Sequence, residues 1–302
     1  MELTDFQRKF TDLTENIEIS YWEPLRDHTS FRIGGGAEVM AFPKTVGELS
    51  RLMEAAGKLG CEIRILGAGT NVLAPDGGLP GLTVCLKDCL DGIELLDHGC
   101  IRVMAGVTMT RAAVFAANHG LSGLEFAHGI PGTVGGGVYM NAGAYEHEIR
   151  EVCRSVTVMT LSGAVRELPA EEMEFSYRSS RLQREGGIAV SAVFALTPAD
   201  PEGIRKTMKE WMARRSASQP LELPSAGSAF KRPAGHYAGA LIDGAGLRGF
   251  QIGGAAVSTK HAGFVVNLGG ATAQDVRALL AEVTDRVFEK SGVHLEPEVR
   301  IW

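Results

Sequence analysis

The sequence predicts an α+β protein of more than one domain. Three observations carry that reading. Short apolar runs at strand spacing alternate with helix-period stretches over roughly the first two-thirds of the chain, glycine is concentrated in two places, and the texture changes after Pro201. At 302 residues the chain exceeds a typical domain of roughly 100–200 residues, so two or three domains with separate cores are expected. A hydrophobic share of 45%, a charged share of 22% and a formal net charge of −6 describe an ordinary globular chain with no general attraction for nucleic acid or an anionic membrane. An anionic ligand would have to be held locally. Cys61, Cys85, Cys89, Cys100 and Cys153 are odd in number and lack a C-x-x-C spacing, which predicts small core residues and neither a disulfide framework nor a metal site. The opening MELTDFQRKF carries charge on both sides of its apolar residues, unlike a signal peptide, and no apolar run reaches about 18 residues. A cytoplasmic protein is expected.

Residues 1–20 read as an amphipathic helix (Leu3, Phe6, Phe10, Leu13) that packs as an arm. Strand-like runs surround Gly34, Gly35 and Gly36; Leu49, Leu52, Met53, Ala56 and Leu59 then recur at helical spacing, and CEIRIL follows as a strand. The resulting β-α-β unit ends in GAGTNVL, residues 67–73. This is not a Rossmann fingerprint, because position 72 is Val and no helical pattern follows, and it lacks the Lys-Ser/Thr of a P-loop. It can still present the amides of Ala68, Gly69, Thr70 and Asn71 to an anion as a backbone nest does. LTVCL, GIELLD and IRVMA read as strands, and a helix is expected over Thr108–His119.

The stretch His128–His147 organises the chain. It packs Gly129, Gly132, Gly135, Gly136, Gly137 and Gly143 into a short span, and glycine belongs where a backbone turns sharply or is closely approached. With almost no charge between Gly129 and Ala144, it suits phosphate oxygens or a polar heterocycle held by amides. Tight turns in a β-rich domain are the alternative. Strands VCRSVTVMTL, AVRELP and IAVSAVFALT follow, with FSYRSSRL at 175–182 between the last two. Beyond Pro201 come a helix, IRKTMKEWMARRSAS, a turn-rich QPLELPSAGSAFKRPAGH, a short helix, AGALIDGAGL, and strands AAVS and FVVNL. A long helix is N-capped by Thr272, with Asp275 in its first turn and Val276, Leu279, Leu280, Val283, Val287 and Phe288 on one face. HLEPEVRIW reads as a last strand.

HTSFRIGG, GAGTNVL, GIPGTVGGGVYMNAGAYEHE, FSYRSSRL, PSAGSAFKRP, GGAAVSTKHAGFVVN and LEPEVR occur in this order from about residue 25 to the end. Together they resemble the MurB family, the UDP-N-acetylenolpyruvoylglucosamine reductases of peptidoglycan synthesis. The resemblance implies an FAD-binding domain of the vanillyl-alcohol-oxidase (PCMH) type in two subdomains, about 20–75 and 76–198 within 1–198. A substrate-binding α+β domain over 199–302 would follow, a return of the last strand to the first subdomain being open. The short interval from Arg178 to Ser228 resembles the family's second type, which lacks a substrate-covering tyrosine loop. Implied cofactors are dissociable FAD and NADPH as reductant, since neither glycine turn, Gly67–Asn71 or Gly129–Ala144, offers a His or Cys as an attachment point. The implied substrate is UDP-N-acetylglucosamine-enolpyruvate. Hydride would pass from NADPH by way of the flavin to the vinyl carbon, with no nucleic acid or membrane partner and a monomer as the default.

Residue by residue, Arg178 in SYRSS matches the family's active-site arginine, whose planar charge suits a carboxylate that becomes an enolate. Ser228 in SAGSAFKRP matches the proton donor. Glu298 in EPEVR matches the active-site glutamate, although Glu296 on the same strand face is a rival that only motif register excludes. Flavin contacts carry over to Gly67, Ala68, Gly69, Thr70 and Asn71 for the pyrophosphate. Gly129, Ile130, Pro131, Gly132, Thr133, Gly135, Gly136, Asn141, Ala142, Gly143 and Ala144 would surround the ring system. Tyr145, Gln219, Lys231, Arg232, Lys260 and His261 are candidates for the UDP-sugar; Arg232 stands where many relatives carry Asn. Two other readings compete: a flavin oxidase or dehydrogenase of the same fold acting on another substrate, and a non-catalytic flavin or UDP-sugar binding module.

Overall fold

The computed structural model describes residues 2–302, so Met1 of the expected N-terminal arm lies outside the described residues. By packing, the chain forms two compact units. The first comprises residues up to Tyr21, Glu38–Ala68 and Pro80–Ala213, and the second Trp22–Ala37, Gly69–Leu79 and Arg214–Trp302.

The first unit has two cores. In one, helix α1 (Asp5–Leu13) starts at a capping box between Thr4 and Gln7, buries Phe10 completely and ties Gln7 Nε2 to the Glu38 carbonyl at 3.0 Å. Helix α2 (Val46–Leu59) is N-capped by Thr45 and stopped by Gly60 in the left-handed region, and it buries Leu49, Leu52, Met53, Ala55 and Ala56. These residues pack with Val39, Ala41, Leu82 and Val84 of a four-stranded sheet ordered Ile19–Pro24, Gly36–Ala41, Leu79–Cys85, Ile63–Leu66. The strand predicted from CEIRIL pairs parallel with Leu79–Cys85, Ile63 opposite Leu82. The two strands of the expected β-α-β unit are therefore not neighbours, because a later strand lies between them.

The other core lies under a five-stranded antiparallel sheet ordered Val165–Pro169, Cys153–Met159, Ile188–Ala195, Cys100–Met104, Ile93–Leu95. Helix α3 (Met109–Asn118), N-capped by Thr108, buries four alanines, Ala112, Ala113, Ala116 and Ala117, whose small side chains allow close packing. A further helix, α4 (Val134–Met140), occupies the glycine stretch, where the sequence predicts only turns. Its glycines explain this. A Cβ on Gly135 would lie 2.9 Å from Ala105 Cβ, and one on Gly137 would lie 2.8 Å from Met109 Sδ, so the helix is glycine-rich because it packs with almost no gap. Helices α5 (Arg181–Glu185) and α6 (Pro201–Ser218) follow, and the chain passes into the second unit inside α6.

In the second unit, helices α7 (Ala238–Gly244) and α8 (Ala273–Ser291) accompany an antiparallel sheet ordered Ser225–Ser228, Phe264–Asn267, Ala255–Val257, Gln251–Ile252. The turn-rich segment after Gln219 thus contains a strand. Of the face predicted for α8, Val276, Leu279, Leu280, Val283 and Val287 are buried, whereas Phe288 is 42% exposed and stacks on His294 with ring centroids 4.0 Å apart. Only Arg300–Ile301 of the last stretch is a strand, parallel to Val72–Leu73.

The texture change at Pro201 gives no sign that two early segments belong with the C-terminal part. They do so because Phe31, Ile33 and Leu73 enter its core, and because Asp76 accepts from Ala273 N at 2.8 Å and Gln274 N at 3.3 Å at the start of α8. All five cysteines are free. Four are buried, and burial pushes the Cys85 and Cys153 thiols up to about 11 and about 12. Among the described residues no helix is long and apolar enough to cross a membrane.

Asp76→Ala removes a carboxylate acceptor from two amides at the N-terminus of α8. It is expected to lower stability by roughly 1–2 kcal/mol, read as a lower urea midpoint. An unchanged midpoint would mean that the Thr272–Asp275 capping box suffices by itself.

Candidate active site

The Gly67–Asn71 turn follows directly on the strand Ile63–Leu66. The Gly69 carbonyl accepts from Ser30 N at 3.1 Å and the Asn71 carbonyl from Arg300 N at 2.9 Å. Because a trans peptide points its C=O and N–H oppositely, the first bond turns the amide of Thr70 away from Ser30. Gly69 has φ +62°, and a Cβ there would lie 2.1 Å from the His28 carbonyl oxygen. On Gly67 a Cβ would lie 2.5 Å from Thr133 Oγ1. Both glycines are therefore required by the protein's own packing, whatever lies against the turn.

The expected wealth of amide donors in the second stretch is largely used internally. Gly129 N donates to Thr110 Oγ1, Ile130 N to the Ala127 carbonyl, Val134 N to Val107, Gly135 N to Ala105 and Gly137 N to Thr133. Pro131 has none to give. Asn141 is wholly buried at the C-cap of α4 with φ +43°; its side chain donates to Ser176 O and Glu148 Oε2 and accepts from Arg150 N. Gly143 allows the hairpin of Gly143–Ala144 with His147–Glu148, since a Cβ would meet His147 O at 2.4 Å. Ala142 N closes onto the Gly137 carbonyl.

One glycine resists such accounts. Gly136 is exposed, helical and without positive φ, and a Cβ there would make only an ordinary contact, 3.7 Å from Thr133 Oγ1. A helix-interior glycine costs about 1 kcal/mol relative to alanine, and nothing inside the protein requires it here. The open space over Gly136 would let a flat ligand approach the helix closely. Gly129 and Gly132, at φ +92° and +148°, turn the chain just before it, and the buried His128 Nδ1 has no hydrogen-bond partner among the described residues. The stretch therefore fits a flavin through surface shape more than through amide count.

Arg178 sits in a two-residue turn between Ser176 and Ser179, with φ +54°. Its guanidinium donates to the Gly143 carbonyl at 3.4 Å and lies 5.0 Å from the Tyr177 ring centroid. Ser228 ends the strand Ser225–Ser228 opposite Phe264 and is exposed. The register slips between Ser225 and Ser228, where Gly227 takes φ +76°, and such a bulge re-aims the following side chain. Ala229 N donates to the Gly263 carbonyl and Glu298 N to the Ala229 carbonyl, at 2.8 and 2.9 Å, so the backbones bearing Ser228 and Glu298 are adjacent. Glu298 is half-buried, whereas Glu296 is exposed and ion-paired with Lys231. Asn71 Nδ2 donates to the Glu298 carbonyl at 3.1 Å, tying the glycine turn to the segment that bears Glu298.

The remaining sequence candidates separate by environment. Tyr145 stacks on Trp211 at 4.8 Å and donates its hydroxyl to the Trp211 carbonyl. The Lys260 ammonium donates to the Ser216 carbonyl at 2.8 Å and lies 3.7 Å from Glu222. Arg232 covers the ring of Tyr237, which is 63% exposed. Gln219 Oε1 is buried without a hydrogen-bond partner among the described residues. His261 Nδ1 accepts from Gly263 N at 3.1 Å, which makes it a turn-forming group.

Known proteins match along the whole chain. The family of UDP-N-acetylenolpyruvoylglucosamine reductase C-terminal domains matches residues 219–302, and that of FAD binding domains matches residues 37–169. A UDP-N-acetylenolpyruvoylglucosamine reductase of Lactobacillus acidophilus is 45% identical over 100% of this chain and 98% of its own. The chain belongs to the UDP-N-acetylenolpyruvoylglucosamine reductase family. A reductase of the same name from Streptococcus pneumoniae is 41% identical over 98% of this chain and 97% of its own. The crystal structure of the family's Thermus caldophilus member superimposes with a TM-score of 0.77 at 36% identity, covering 95% of this chain and 99% of that one. The fold is thus that family's α+β architecture with an FAD-binding domain.

Sequence reasoning missed Gln183 and Trp211, which touch the segments around Arg178 and Tyr145. Neither sits in a motif with chemistry of its own, and their contacts arise only in the folded chain. Burial pushes the His261 imidazole below its usual range, so the folded state favours the neutral ring. Stability from this group is present at neutral pH, begins to fall below the unfolded value of about 6.5, and is lost once the pH passes the depressed folded value. His261→Gln is therefore expected to unfold at a lower temperature than the parent at pH 7.5, with the gap shrinking as the pH is lowered. A constant gap would show that His261 does not titrate on unfolding.

Proposed function

We propose that the protein is the NADPH-dependent flavoenzyme that reduces UDP-N-acetylglucosamine-enolpyruvate to UDP-N-acetylmuramate in peptidoglycan synthesis. The observation that carries this reading is the end-to-end match to reductases of that name. Bound FAD supplies the two-electron relay between NADPH and the vinyl carbon. The chain's own residues have three tasks. Arg178, permanently charged, stabilises the negative charge that develops on the substrate carboxylate. Glu298 acts with it in polarising that carboxylate; the engagement of Glu296 with Lys231 supports this choice of glutamate. Ser228, exposed and re-aimed by the bulge at Gly227, gives the proton to the adjacent carbon.

In this reading the flavin lies against Gly67–Asn71, Gly129–Thr133, Gly135, Gly136 and the backbone of Asn141–Ala144. Residues 1–198 serve the cofactor and 199–302 the substrate, in the manner of the family's second type. Tyr145, Gln219, Lys231, Arg232, Lys260 and His261 are the proposed surroundings of the UDP-sugar; the unpartnered Gln219 Oε1 supports its place among them. A cytoplasmic monomer completes the proposal.

Ser228→Ala separates the two half-reactions. Bleaching of the flavin by NADPH is expected near the parent rate, whereas reoxidation by the enolpyruvyl substrate slows by roughly 100- to 10,000-fold, as for a lost general acid. Equal slowing of both steps in stopped flow would make Ser228 structural. Gly136→Val tests the cofactor surface: valine is no worse than glycine in a helix, so stability is preserved while FAD affinity drops at least tenfold by fluorescence titration. Undiminished affinity would move the flavin off this helix.

A further inference from the structure

Arg178 adopts a backbone conformation that an arginine avoids. A non-glycine residue in the left-handed region is strained by roughly 1–2 kcal/mol, and the third position of a tight turn with positive φ usually holds Gly or Asn. The Ser176–Ser179 turn is closed by two backbone hydrogen bonds, Ser176 N to Ser179 O at 3.1 Å and Ser179 N to Ser176 O at 3.0 Å. Those bonds close the turn without anchoring it. The anchors come from outside: Asn141 Nδ2 donates to the Ser176 carbonyl at 3.0 Å and Gln183 Nε2 donates to the Arg178 carbonyl at 3.0 Å.

Both anchors lead to α4. Gln183 Nε2 also donates to the Tyr139 carbonyl at 2.8 Å and lies 3.5 Å from Met140 Sδ, and Ser180 Oγ donates to the same Tyr139 carbonyl at 2.8 Å. Tyr139 is in the last turn of α4, where carbonyls lack intrahelical partners, so Gln183 and Ser180 complete the helix end while fastening the turn to it. Asn141 is the C-cap of that helix, and its side chain is buried.

We propose that Gln183, backed by Asn141, is a positioning residue for Arg178: it fixes the strained carbonyl behind the guanidinium and so sets where the charge lies. The inference rests on the catalytic reading of Arg178. It goes beyond that reading in assigning the placement of the charge to an amide that never touches substrate. A displacement of about 1 Å in a catalytic group can cost on the order of 100-fold, so the amide controls rate without contributing chemistry.

The test is a double-mutant cycle on the FAD-loaded full chain, with Gln183→Leu and Gln183→Glu each made in the parent and in Arg178→Ala. The glutamate keeps the shape and removes the amide donors, which guards against a packing defect specific to leucine. In the parent, both substitutions are expected to leave NADPH bleaching within about twofold and to slow reoxidation by the enolpyruvyl substrate by about 10- to 100-fold. In the Arg178→Ala chain they are expected to slow reoxidation no further, because a residue acting only through Arg178 has nothing left to position. Multiplicative losses in that background, equal slowing of both half-reactions, loss of bound flavin, or full parental reoxidation would each overturn the proposal. If Arg178→Ala itself reoxidises at the parental rate, the catalytic reading of Arg178 fails. If that variant is slow and the Gln183 losses multiply, only the positioning role fails.

Discussion

The buried side chain of Asn141 is the constraint on which the organisation around the glycine helix depends. One amide group joins the hairpin and helical turn that follow it, through Glu148 and Arg150 N, to the Arg178 turn 35 residues on, through the Ser176 carbonyl. The Asn141 side chain itself is wholly buried, and these three bonds satisfy both its carbonyl and its amide, which would otherwise carry a desolvation cost of roughly 1–3 kcal/mol. Left-handed φ at Asn141 itself ends α4, and asparagine tolerates this conformation better than most residues. Placing one residue at that corner therefore stops the helix, closes the hairpin and anchors the turn bearing the permanent cation.

Around it, glycine occurs in three separate physical settings. At Gly35, Gly69 and Gly143 another stretch of backbone comes so near that no Cβ fits. At Gly135 and Gly137 a helix packs onto side chains with no intervening layer. Gly136 is the glycine of that helix with room for a side chain, so packing within the described residues gives no reason for it. Composition cannot separate these settings, because all of them look like the same letter. Several of the amides in the stretch are used inside the chain for the same reason: glycines also let the chain approach itself, and those amides then find internal acceptors.

Acid–base groups in the second unit show a comparable division of labour. Lys231 takes Glu296, and Arg248 takes Asp243 and two carbonyls, whereas Ser228 stays exposed on a bulged strand. Exposed ion pairs of this kind add little stability.

The sequence alone determined the helices with strong periodicity and caps, such as α2, α3 and α8, and it determined the family, because the motifs carrying Arg178, Ser228 and Glu298 keep their order along the whole chain. Local signals suffice there: capping, apolar spacing and motif identity are properties of neighbouring residues. Tertiary structure alone decided that α4 is a helix inside a glycine run, that Phe288 faces outward, that residues 22–37 and 69–79 pack with the C-terminal part, and that Gln183 and Asn141 govern the Arg178 turn. Each of these depends on what a segment meets after the chain has folded back on itself. A buried carbonyl selects its donor by position in space, and no spacing rule along the chain records that choice.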